Sequence, residues 1–124
     1  MGLTTRIENT SADTYKIILD GRLDGTTSPE LESELKPVLA RNPKVIVFNL
    51  AKLDFISSIG IRILIETQKN LSARNGSVVL ADMQPQIQKV LEIIKALPGI
   101  AVFRNTEEMD AYLAAMQQKF KKDS

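Results

Sequence analysis

Two adjacent hydroxyls, Ser57 and Ser58, sit inside the stretch LDFISSIGIRIL (Leu53–Leu64), with Gly60 and Arg62 close behind. A serine at a helix start has two uses. It can cap the helix by accepting a hydrogen bond from a free backbone N–H, or it can leave its hydroxyl free and facing out. If Ser57 is the N-cap, its oxygen is occupied with the N–H of Gly60 or Ile59. Ser58 then stands at the first helical position with its hydroxyl free. The plainer alternative is that both are helix-start residues and nothing more. Asp24 and Asp54 would deepen the negative field around Ser58 if the fold brings them near. Asp24 equally fits a turn or cap before the first helix.

The rest of the alphabet narrows the chemistry. There is no Cys and no His, which removes thiolate nucleophiles, disulfides, zinc centres of the usual kind and His-dependent triads. No GxxxxGK[ST] loop is present, and Gly21 with Gly25 makes no GxGxxG. Glu30 and Glu34 share a helix face in the manner of a solvated surface. The expectation is a protein that is not an enzyme, with no catalytic residues, metal ligands or cofactor-binding residues. The net charge is +1, spread along the chain with a cluster only at Lys119, Lys121 and Lys122, so no nucleic-acid footprint is expected. MGLTTRIENT lacks the apolar core of a signal peptide, and no apolar run is long enough to insert into a membrane. A cytoplasmic location is expected.

At 124 residues, 44% apolar and 25% charged, the chain fits one domain with a real core. Leu3–Glu8 and Tyr15–Leu23 read as strands of a hairpin around the turn-rich NTSAD. Ser28-Pro29 opens a helix with Ser28 as N-cap and Leu31, Leu35, Val38 and Leu39 on one face, ended by Asn42-Pro43. Val45–Phe48 reads as a strand buried on both faces. A helix follows from about Ser57 to Arg74, with Asn75-Gly76 as its left-handed stop. Val78–Ala81 is another buried strand. Pro85 begins a third helix with Ile87, Val90, Leu91 and Ile94 in register. Ile100–Phe103 is a short strand, and Asn105 or Thr106 caps a last helix with Met109, Tyr112, Leu113, Met116 and Phe120 on one stripe. The order ββαβαβαβα implies an α/β domain with a mixed, mostly parallel sheet of 4–5 strands and about four helices. Residues 1–124 are expected to form this single domain, its core at about 3–116 and residues 117–124 frayed.

Projected at about 100° per residue, the helix after the serines places Ile61, Leu64, Ile65, Gln68 and Leu71 on a core face. Ser58, Arg62, Glu66 and Lys69 form a polar row, and Ile59 and Ile63 lie on the flank beyond it. Packing against a neighbouring helix and docking of another protein are both open for these two isoleucines.

Three segments make the chain resemble the anti-sigma-factor antagonists, the small stand-alone STAS-domain proteins of bacteria. They are GRLD (Gly21–Asp24), VIVFNLAKLDFISSIGIRIL (Val45–Leu64) and ADMQPQIQKVLEIIKALPGIAVF (Ala81–Phe103). In that family the serine two residues before the helix glycine is phosphorylated by the anti-sigma factor, a serine kinase of the GHKL type. The resemblance puts that glycine at Gly60 and the acceptor at Ser58, with Ser57 the alternative. Ser57 stands where the family often has Asp, and Arg62 where some members have a second glycine. The implied function is partner switching. The unmodified protein binds the kinase and frees a sigma factor, the phosphorylated one lets go, and a metal-dependent serine phosphatase resets it. Expected contact residues are Asp24, Asp54, Ser57, Ile59, Gly60, Arg62 and Ile63. Alternatives are a constitutively bound STAS subunit of a lipid-transport or signalling assembly, and a small-ligand or nucleotide-binding domain.

Overall fold

A computed structural model describes residues 2–11, 13–92 and 100–103, with positions 107, 111 and 114. The elements run β1 (Leu3–Ser11), β2 (Thr14–Leu23), α1 (Ser28–Leu39), β3 (Val45–Ile56), α2 (Ser58–Ser72), β4 (Ser77–Ala81), α3 (Pro85–Leu91) and β5 (Ile100–Phe103). The sheet carries its five strands in chain order, β1 antiparallel to β2 and the other pairs parallel. The expected last helix lies outside the described residues, apart from helical positions Glu107, Ala111 and Ala114. So do Ile94 and the C-terminal lysines.

Strands that step one way across a sheet through right-handed crossovers leave their helices on one face. One buried cluster therefore joins Ile17 and Leu19 of β2, Ile46 and Phe48 of β3 and Leu80 of β4 to Leu31 of α1, Leu64 of α2 and Ile87 of α3. The opposite face holds a smaller cluster of Val45, Val47, Val79 and Ala81. Burial on both faces is what the unbroken apolar run of β3 implies.

Several local expectations shift. α1 starts at Ser28, but the N-cap position is Thr27, and the Ser28 hydroxyl donates to the Asp24 carbonyl at 2.6 Å. Asn75 does take the left-handed conformation expected of the stop after α2, at φ 62°. Val90, expected in the core, is 40% exposed. The largest change is on α2, whose buried side is Gly60, Ile63, Leu64, Thr67, Gln68 and Leu71. Ile61 and Ile65 only pack against the margin of the core. The face is rotated toward α1 because Gly60 and Thr67, which do not read as apolar, belong to it. Thr67 satisfies its buried hydroxyl by donating to the Ile63 carbonyl at 2.8 Å, the local bond that lets a polar residue sit in a helix interface.

Candidate functional site: the junction of β3 and α2

The site begins with GRLD at the end of β2. Gly21 has φ 119°, and a Cβ there would fall 2.4 Å from the Gly2 carbonyl oxygen, so only glycine fits. Arg22 lies across from Phe55 of β3, its guanidinium 4.4 Å from the ring centroid. Leu23 is fully buried. Asp24 organises the turn into α1: its Oδ1 accepts from the N–H groups of Thr26 (2.9 Å) and Thr27 (3.1 Å). The Thr27 N–H foremost, then those of Thr26, the Thr27 hydroxyl and the charge of Arg22 hold the Asp24 carboxyl below the ordinary aspartate range, against the upward push of desolvation. Asp24 is therefore the turn-and-cap residue that its position also allowed.

β3 outruns its neighbour. Only Val45–Asn49 pairs with β4, while the strand continues to Ile56 against β2 with register shifts between Ile18 and Asp20 and between Gly21 and Arg22. The open side of this extension is closed by side chains of the β4–α3 turn and the first turn of α3. Gln84 Nε2 donates to the Ala51 carbonyl at 3.0 Å and to Asp54 Oδ1 at 3.3 Å, and Gln86 Nε2 to the Asp54 carbonyl at 3.4 Å. Asp54 thus belongs to the β4 flank of the junction and Asp24 to the β2 flank. Neither carboxylate bonds to the serine pair.

At the junction, Ser57 is extended (φ −91°, ψ 172°) and its hydroxyl oxygen accepts from the Gly60 N–H at 3.2 Å. Its own N–H donates to the Leu23 carbonyl at 2.9 Å, tying the start of α2 to the end of β2. Ser57 is the cap and is half-buried; Ser58 is the first helical residue and is exposed. Gly60 fits because nothing larger does. A Cβ there would lie 2.8 Å from Leu23 Cγ and 2.9 Å from Ile56 Cγ1.

Around Ser58 the surface is mixed. Ile59 is 43% exposed, and its Cδ1 would lie 3.7 Å from a Cβ on Gly25. Arg62, one turn on, points away from the helix start to Glu66 at 3.6 Å. Ile63 does not join this surface. It is 2% exposed, on the α2 face turned to α1, so of the two flank isoleucines one faces solvent and the other is core. Phe55 of β3 is also exposed at this junction, at 39%, and the sequence did not single it out. With Leu53 facing inward, strict alternation turns Phe55 inward too; the irregular register between Leu53 and Phe55 sends it out. The stacking on Arg22 that holds it there depends on the irregular pairing of β2 with β3 and leaves no signal in the sequence. Among the described residues no cluster of three or more His, Cys, Asp or Glu forms a metal-binding group.

The STAS domain family model matches residues 7–109 of the chain. The putative anti-sigma factor antagonist BtrV of Bordetella bronchiseptica is 32% identical over 75 residues, 60% of this chain and 65% of that protein, so the match spans just under two thirds of its length. The anti-sigma-B factor antagonist of Staphylococcus aureus is 28% identical over 92 residues, 73% of this chain and 85% of that one. The fold superposes on the anti-sigma factor antagonist SpoIIAA in its unphosphorylated form with TM-score 0.72 at 21% identity, over 90% of this chain and 98% of that one. The phosphorylated form of SpoIIAA, from Bacillus, matches with TM-score 0.69 at 21% identity, over 88% and 99%.

Proposed function

This chain belongs to the STAS-domain family, and we propose that it is an anti-sigma factor antagonist working by partner switching, with Ser58 as its phosphorylation site. In this reading residues 1–124 act as one cytoplasmic, non-catalytic domain. The unmodified protein binds an anti-sigma serine kinase of the GHKL type and so releases a sigma factor. Transfer of phosphate to Ser58 dissociates it, and a metal-dependent serine phosphatase restores it. The observation that carries the reading is the division of labour at the helix start: the Ser57 hydroxyl is engaged with Gly60, and the neighbouring Ser58 is exposed.

The physics suits a switch that acts on the interface and spares the fold. A phosphoserine adds about −1.5 to −2 charge at neutral pH. At a helix N-terminus the unpaired N–H groups and the dipole favour that charge by about 0.3–1 kcal/mol. Against a partner carboxylate about 5 Å away, the same charge costs several kcal/mol at an effective dielectric near 20, and each 1.4 kcal/mol is about tenfold in affinity. Exposed Ile59 supplies the apolar contact for that charge to oppose, with Asp24, Asp54, Ser57 and Arg62 around it; Gly60 and Ile63, both buried, support α2 from beneath. The test is incubation with ATP and the cognate kinase followed by intact mass measurement. Wild type gains one phosphate and Ser58→Ala gains none, while keeping its fold and its kinase binding. Normal phosphate uptake by Ser58→Ala moves the site to Ser57.

A further inference from the structure

The free edge of the sheet carries a pattern that fits a second copy of itself. Among the described residues β1 pairs only with β2, so its outer side presents unpaired backbone N–H and C=O groups, a template for another strand. Alternation along β1 puts Leu3, Thr5 and Ile7 on the helix side and Arg6 and Glu8 on the other. Leu3 and Ile7 pack at the margin of the core. Arg6 and Glu8 lie 3.3 Å apart, their side chains 74% and 37% exposed.

We propose that two copies associate through β1, antiparallel, about a two-fold axis at Ile7. Directly opposite residues of an antiparallel pair share a face, and a two-fold contact is self-complementary. In this register Ile7 meets Ile7, Thr5 meets Asn9, and Arg6 of each copy meets Glu8 of the other. The register is selected by charge. A shift of two residues one way sets Arg6 against Arg6, and the other way Glu8 against Glu8; like charges directly opposite are destabilising. A shift of one residue turns the apolar set to the wrong face. The bulge between Asn9 and Ser11 limits regular pairing to Thr5–Asn9 on each copy. So short a contact is small against the about 1,600 Å² of an ordinary stable interface, which makes this a weak, concentration-dependent dimer. The opposite charges on neighbouring positions have a competing use as a guard against edge pairing, and the two uses differ in outcome.

Sedimentation equilibrium of the full chain from micromolar to near-millimolar concentration decides between them. Wild type should show monomer–dimer exchange that weakens with added salt. Arg6→Glu and Glu8→Arg should each weaken self-association about tenfold or more. An equimolar mixture of the two variants should associate again. The first variant is acidic at both positions and the second basic at both, so each acidic side chain then faces a basic one across the two-fold. Circular dichroism checks that both variants fold. A wild type that stays monomeric throughout, or a dimer indifferent to both charge reversals, overturns the proposal. So does a mixture that fails to associate when both variants are folded.

Discussion

Ser57 and Ser58 carry the same hydroxyl one residue apart, and position alone separates their roles. Ser58→Asp is expected to weaken kinase binding only partially, because one carboxylate has less charge than phosphate and one oxygen fewer. Its thermal midpoint should stay near wild type; a fall of many degrees would make Ser58 structural. Asp24 has a different signature. Its carboxyl is held below the ordinary aspartate range by the Thr27 N–H above all. A group whose pKa is depressed in the fold contributes stability that is fully present above its unfolded value, about 3.9, and is lost as pH falls through the lower folded value. The stability gap between wild type and Asp24→Asn should therefore be constant near neutrality and shrink as pH drops below about 4. Urea melts at a series of pH values check this. A gap unchanged at low pH would mean that the carboxylate charge adds nothing to the turn.

On α2 the two isoleucines make the sharpest contrast. Ile59→Ser should change unfolding free energy by no more than about 0.5 kcal/mol and weaken kinase binding about tenfold or more. Ile63→Ser removes buried apolar volume and buries a hydroxyl, and should cost about 2 kcal/mol or more. Denaturant melts beside a binding titration separate them, and equal costs for both would contradict the orientation of the helix. The same element shows where sequence reasoning succeeded and where it stopped. The cap at Ser57 was legible because capping follows local rules. The buried face was misplaced because its members Gly60 and Thr67 are defined by what they touch, Leu23 and Ile56 in one case and a backbone carbonyl within the helix in the other. On β3 the strand was legible as far as Phe48. Its extension to Ile56 depends on irregular pairing with β2 and on glutamines reaching over from the β4–α3 turn and the start of α3, neither of which leaves a periodic trace.

At the scale of the molecule, the antiparallel opening pair and the mostly parallel remainder followed from the alternation of segments. The order of the strands across the sheet did not, because right-handed crossovers are compatible with several orders. The fold also bears on the proposed switch. With Ser58 exposed at an N-terminus and the first turn anchored through Ser57 to Leu23, a phosphorylated sample should keep the circular dichroism and thermal midpoint of the unmodified protein. Loss of cooperative melting on phosphorylation would place the switch in the fold itself. The contact of Gly60 with Leu23 has a further meaning. GRLD and SSIG lie far apart along the chain, yet the leucine of one fills the space that the glycine of the other leaves. Gly60→Ala should therefore cost about 1–3 kcal/mol in the wild-type background and less where Leu23 is already alanine, with a coupling of about 0.5 kcal/mol or more in a double-mutant cycle. Strict additivity would show the two segments to be independent. If the coupling is present, neither can change size alone without penalty, and over generations of mutation the two would be inherited as one word spelled in two places.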